Sequence, residues 1–264
     1  MKLVIDTTRA TFTRVDGETE ATLPLYSKEA FEALSLQWLR VGWSLKYYHN
    51  FAWFGLPILQ LPEDVMRLQE VIYQVRPQVI VETGVFRGGS LLFHATLLQA
   101  LGGGHVIGGQ VIGVDREILP DVRDALASHA LAPGITLIEG DSTDPSVVRK
   151  VTEKVKQISG AGAAVLVILD SDHARAHVAR ELECYAPLVT PGSYIVATDG
   201  ITRDLSDVPR GNAGWKTDNP FSAACAFAAA HPEFRQEQPR WPARDSDLTE
   251  NITYWPGAWF RRTS

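Results

Sequence analysis

Cysteine is nearly absent from this chain. Its two residues, Cys184 and Cys225, lie far apart and outside any C-x-x-C pattern, which excludes a disulfide framework and a cysteine-built zinc knuckle. Long hydrophobic runs are missing too: none reaches the ~18 residues a membrane span needs. The start, Met1-Lys2-Leu3-Val4-Ile5-Asp6, meets an acid too early for a secretory leader, so a cytoplasmic protein with no membrane partner is expected. There is no basic excess. A net charge of -6 and a pI near 5.7 argue against a nucleic-acid face, which leaves small molecules as the expected partners. No solenoid, collagen or heptad period appears, and the dinucleotide fingerprint G-x-G-x-x-G is also absent.

What remains is ordinary globular material: 264 residues, 45% apolar and 21% charged, enough for one large α/β domain with an amino-terminal extension. Residues 1 to 26 read as irregular or short-strand structure of no legible role. Ser27 is a candidate N-cap for an amphipathic helix that aligns Phe31, Leu34, Trp38 and Leu39. The aromatic stretch from Tyr47 to Gly55, including Tyr48 and Trp53, is either a substrate-pocket lining or a subunit contact. Pro62-Glu63-Asp64 opens a helix that runs to about Val75, its acids on the favourable end of the macrodipole.

From there strand and helix alternate. Strands are expected at 78 to 82, 110 to 115, 135 to 139, 164 to 169 and 192 to 197. Helices are expected at 89 to 101, 121 to 130, 145 to 158 and 174 to 186. That order implies a doubly wound, mostly parallel sheet with helices on both faces. A helix at 220 to 230 and two strands near 234 to 238 and 252 to 260 would close one edge. The run Gly102 to Gly109 reads as a surface turn, because no helix start follows it.

The chemistry concentrates at strand ends. After Val79-Ile80-Val81 come Glu82, Gly84, Gly88 and Gly89, a turn that brings backbone close to a ligand and opens a helix at Ser90. Val85 and Phe86 occupy the place of the middle dinucleotide glycine. Glu82 would repel phosphate but suits a ligand carrying an ammonium and a sulfonium, so the loop favours S-adenosylmethionine over NAD. Asp115 ends the second strand, positioned either to accept ribose hydroxyls or to cap the next turn. Asp141 or Ser142, after the third strand, is a candidate for the adenine amino group, and Asp144-Pro145 reads as a helix start.

Asp170 and His173 follow the fourth strand and Asp199 the fifth, so two carboxylates converge. Such a pair repels unless a proton or cation sits between them. Mg²⁺ would satisfy both and acidify a substrate hydroxyl. His173 is then the candidate general base, with His177, one turn on, a structural partner in preference to half of a zinc site. The long segment Gly200 to Asn219, which includes Trp215, is either a substrate-ordering lid or a mobile insertion.

Several segments together identify a resemblance. They are Phe54-Gly55-Leu56-Pro57-Ile58-Leu59-Gln60-Leu61-Pro62, Val81-Glu82-Thr83-Gly84 with Gly88-Gly89-Ser90, and Leu169-Asp170-Ser171-Asp172-His173. To these add His177-Val178, Glu181-Leu182, Tyr185-Ala186-Pro187-Leu188, Asn219-Pro220, His231-Pro232-Glu233-Phe234 and Pro256-Gly257-Ala258-Trp259-Phe260-Arg261-Arg262. From about residue 46 to the carboxyl end the chain resembles the cephalosporin hydroxylase / rhamnosyl O-methyltransferase family, a class I S-adenosylmethionine-dependent group. The resemblance implies a seven-stranded Rossmann-like methyltransferase sheet spanning 62 to 264, behind a helical extension at 1 to 61 that makes substrate or oligomer contacts. It also implies S-adenosylmethionine, Mg²⁺-assisted O-methylation of a sugar or glycoside hydroxyl, and often a homo-oligomer. The family's metal is held by an acid after strand four and an acidic pair after strand five. Here that pair is Thr198-Asp199, which leaves the third ligand to water, Asp172 or the substrate. Hydroxylation is the less favoured expectation, because a non-haem iron oxygenase needs two His and a carboxylate arranged as a facial triad. A non-catalytic binding or assembly protein on the same fold is the competing expectation.

Overall fold

The computed structural model describes residues 1–102, 109–158, 163–243 and 245–264. The expected surface turn at Gly102 to Gly109 falls almost wholly outside them. Strands β1 (Lys2–Asp6), β2 (Thr11–Asp16) and β3 (Thr19–Pro24) form an antiparallel meander, the short-strand alternative expected for residues 1 to 26, so the extension is part sheet and part helix. Helix α1 (Lys28–Ser44) follows, and Ser27 does cap it, its hydroxyl accepting from the Ala30 amide at 3.2 Å. A small hairpin, β4 (Ala52–Trp53) and β5 (Leu56–Pro57), leads to α2 (Pro62–Val75).

The core then alternates as the periodicity predicts: β6 (Val79–Thr83), α3 (Gly89–Leu101), β7 (Gln110–Asp115), α4 (Pro120–Ser128), β8 (Ile135–Glu139), α5 (Pro145–Ile158), β9 (Val165–Leu169), α6 (Arg175–Tyr185) and β10 (Tyr194–Ala197). Helix α7 (Pro220–Ala230), β11 (Phe234–Gln236) and β12 (Trp259–Arg262) complete it. The last strand starts later than expected, because Gly257 turns at φ +67° just before it. The two final strands close one edge as expected: they pair antiparallel with each other, and β12 also pairs antiparallel with β10.

The seven strands lie in the order β8-β7-β6-β9-β10-β12-β11. β6 and β9 are buried at every position, as strands covered by helices on both faces must be. Side-chain alternation divides the core in two. Ile80, Leu166, Ile168 and Val196 face α2, α3 and α4, whereas Val79, Val81, Val165, Val167 and Ile195 face α5, α6 and α7. The extension is continuous with the first of these cores through Leu39 and Trp43 of α1. No helix among the described residues is long and apolar enough to cross a membrane.

Register fixes the site. Thr83 pairs with both Val114 and Leu169, and Leu169 with Ala197, so β6, β7, β9 and β10 end at one level. The chain order reverses direction at β6, and the crevice above such a switch point is where doubly wound sheets bind ligands.

Candidate active site

A cavity of about 650 Å³ opens above that switch point, within the usual range for a small-molecule site. Its walls include Gly84, Phe86 and Ser90 after β6, Asp115 after β7, Asp141 and Ser142 after β8, Asp170 and His173 after β9, and Asp199 after β10. Residues far apart in sequence thus share one space because their strands end together. The extension supplies another wall with Trp43, Tyr48, His49, Pro57, Leu59 and Gln60.

The glycine loop is tightly specified. Gly84 has φ +92°, and a Cβ there would lie 2.1 Å from the carbonyl oxygen of Asp170. Gly88, at φ +79°, turns the chain into α3 without lining the cavity. Asp115 braces the loop: its Oδ2 accepts from the amides of Val85 (2.8 Å) and Phe86 (3.0 Å), and Oδ1 takes only a longer bond from Glu117 at 3.3 Å. Phe86 is held at φ +43° with its ring largely exposed over the opening. Asp141 accepts at Oδ1 from the Thr143 amide and hydroxyl, both at 2.8 Å, and these bonds hold its carboxyl below the usual range. The Ser142 hydroxyl is 3.1 Å from His177 Nε2, in a buried network with Ser171 and Glu181. His177 is therefore the structural partner expected, its pKa raised chiefly by its bond to Glu181.

Asp170 and Asp199 meet. With His173 they bring ligand atoms within 4.8 Å of one another, and His173 Nε2 is 3.3 Å from Asp199 Oδ2. Burial, and then the charge of Asp199, pushes Asp170 up to about 7. Burial likewise raises Asp199, although its side chain stays 19% exposed. Asp199 adopts φ +54°, a left-handed conformation uncommon outside glycine that recurs at functional sites. Two donors secure Asp170: the Thr198 hydroxyl to Oδ1 at 2.5 Å and the Gln60 amide to Oδ2 at 3.2 Å. In the sequence Thr198 stands out only as the residue in an acid's place and Gln60 only within a segment that carries the resemblance, so neither is legible there as a donor to Asp170. Asp172 also lines the cavity but stands outside the Asp170-His173-Asp199 cluster, its Oδ1 accepting from the Ala174 amide at 2.8 Å.

Three expectations are corrected. Glu82 does not line the cavity. Its position on β6 points it into the core toward α3, where it faces His94 at 3.3 Å with both side chains fully buried. Trp53 also lies off the cavity: its indole N–H donates to Thr96 at 3.1 Å and its ring packs on Phe93, tying the β4-β5 hairpin to α3. Trp215 packs edge-on against Trp43 at 5.9 Å, behind the wall that Trp43 forms. Tyr48 does line the cavity, stacked on Trp43 at 5.2 Å, and burial followed by the charge of Asp199 raises its phenol to about 12. The 200–219 segment is pinned to the body of the protein, with Ile201 and Leu205 buried and Arg40 bonded to Asp204 and Asp207.

A parallel sheet of this order, with one reversed strand next to last at the edge and acids at the strand ends around one crevice, defines a Rossmann-like methyltransferase. A family model described as Rhamnosyl O-methyltransferase/CmcI matches residues 45–263, and the chain belongs to that family. It is an O-methyltransferase. The Rhamnosyl O-methyltransferase of Mycobacterium leprae is 29% identical over 194 residues, covering 70% of this chain and 76% of the relative. That of Mycobacterium bovis BCG is 28% identical over 159 residues, covering 58% of this chain and 60% of the relative's length. A solved CmcI structure described with Mg and SAM shares the fold, with a TM-score of 0.51 and 20% identity over 82% of this chain and 78% of that one.

Proposed function

We propose that this protein transfers a methyl group from S-adenosylmethionine to a hydroxyl of a sugar or glycoside, assisted by a divalent cation. The observation that carries the proposal is the Asp170-Asp199 pair opening into the same cavity as the glycine loop and Asp115. The relatives' name, Rhamnosyl O-methyltransferase, supports a sugar acceptor. So does the aromatic wall of Trp43 and Tyr48, a surface suited to the apolar face of a sugar ring.

The donor set fits both groups. Asp115 Oδ1 is the less engaged oxygen and is available to a ribose hydroxyl, while Asp141 and Ser142 line the side assigned to the adenine. Two neighbouring carboxylates, both raised by burial and Asp170 further by the charge of Asp199, fit a cation, which removes the repulsion. When bound, such an ion lowers the pKa of an acceptor hydroxyl so that its proton leaves near neutral pH. The transfer forms the oxygen–carbon bond, breaks the carbon–sulfur bond and leaves the bonding pair on sulfur. Residues 1–61 serve as the acceptor-side wall and 62–264 as the cofactor domain in this reading, with self-association of the chain an accompanying proposal. Calorimetry with S-adenosylhomocysteine, with and without divalent cation, tests it: binding in the micromolar range is expected, and no binding would sink the proposal. Labelled S-adenosylmethionine supplied with rhamnosylated glycosides tests the acceptor class.

A further inference from the structure

Granted an ion at the Asp170 and Asp199 carboxylates, as proposed above, the third His, Cys, Asp or Glu donor within reach among the described residues is nitrogen and not oxygen. His173 belongs to the cluster whose ligand atoms lie within 4.8 Å of one another, and its Nε2 is 3.3 Å from Asp199 Oδ2. Neither acid that could have completed an all-oxygen set does so. The position before Asp199 holds Thr198, which is 1% exposed and donates its one hydroxyl proton to Asp170 Oδ1 at 2.5 Å. Asp172, whose Oδ1 accepts from the Ala174 amide, stands outside the cluster. On the opposite side Gln60, 5% exposed and on the cavity wall, donates to Asp170 while its Oε1 has no partner. A buried carbonyl oxygen left unsatisfied is costly, and a water of the ion's shell is the kind of donor that would satisfy it.

We infer that His173 is a metal ligand and that this site selects a first-row transition ion such as Mn²⁺ over Mg²⁺. Mg²⁺ prefers oxygen ligands and gives up its waters reluctantly, whereas imidazole is a ligand of transition ions. Charge points the same way. Two carboxylates neutralise a divalent ion, and a third would leave the site negative; a neutral imidazole keeps the ion the stronger Lewis acid toward an acceptor hydroxyl. A nitrogen lone pair bound to an ion cannot accept a proton, so this assignment removes His173 from the general-base role expected from the sequence. Proton loss then rests on the ion's acidification of the hydroxyl.

The test uses the full chain, stripped with a chelator and titrated separately with Mn²⁺ and Mg²⁺. Calorimetry gives both affinities, and pulsed electron paramagnetic resonance of bound Mn²⁺ reports nitrogen coupling. Mn²⁺ is expected to bind at least about tenfold more tightly than Mg²⁺, with nitrogen coupling in the unaltered protein that disappears in His173→Asn. Thr198→Glu, which restores an acid, is expected to narrow the preference. Bound Mn²⁺ with an oxygen-only spectrum, or Mg²⁺ bound as tightly as Mn²⁺, overturns this inference and leaves the methyltransferase reading intact. Failure of both ions to bind overturns it together with the metal-assisted reading.

Discussion

At the scale of residues, the decisive contacts are those that hold Asp170. Its two oxygens accept from Thr198 and Gln60, and side chains that orient a metal ligand typically matter 10–100-fold in affinity or activity. Thr198→Val and Gln60→Leu are each expected to weaken divalent-ion binding by about 10- to 100-fold with the fold retained, as read by calorimetric titration. Unchanged affinity in both would show that Asp170 orients itself unaided. Asp170, Asp199 and Asp115 were legible in the sequence because each follows an apolar β-run at a strand's carboxyl end. Glu82 misled for a reason of parity. A side chain one step from the end of a strand points to one face or the other, and here it points beneath the sheet to His94.

At the scale of elements, short connections decide how the site is walled. The Gly84 backbone passes so near Asp170 that Gly84→Ala must push the β6 and β9 ends apart. Loss of S-adenosylhomocysteine binding together with a lower thermal midpoint is the expected outcome, followed by calorimetry and melting. Asp64 in α2 is a buried latch, accepting from the Thr253 hydroxyl and, at 2.9 Å, from the Tyr254 amide. Burial pushes its pKa up to about 8, against about 3.9 for an unfolded Asp. Between these values the folded protein keeps the proton that the unfolded chain releases, so its contribution to stability is present at low pH and is lost as pH rises toward 8. Asp64→Asn is expected to flatten the decline of thermal midpoint between about pH 4 and pH 8; an identical slope in the variant would refute this account. The alternating core elements were readable from periodicity to within a few residues. The meander at 2–24 was not, because short, half-exposed strands carry little hydrophobic pattern, and β12 was misplaced because Gly257 delays its start.

At the scale of the whole molecule, the proposed cofactor would brace the ends of five strands at once. A product analogue at 100 times its dissociation constant should therefore stabilise the protein by about 2.7 kcal/mol and raise the melting midpoint by roughly 5–10 °C, measurable by scanning calorimetry. No shift at saturation would remove the cavity as its site. The sequence by itself determined the sheet class, the glycine loop, the acids at the strand ends and the family, since these rest on local runs, turn residues and short motifs. Only the tertiary structure decided which of them meet. Register sets Thr83, Val114, Leu169 and Ala197 level, strand parity turns Glu82 inward, and the packing of α1 and the β4-β5 hairpin against the sheet brings Trp43, Tyr48 and Gln60 to a wall that Trp53 and Trp215 do not reach. Those are long-range contacts between segments separated by up to more than half the chain, and no local pattern encodes the distance between two side chains that are neighbours only once the chain has closed on itself.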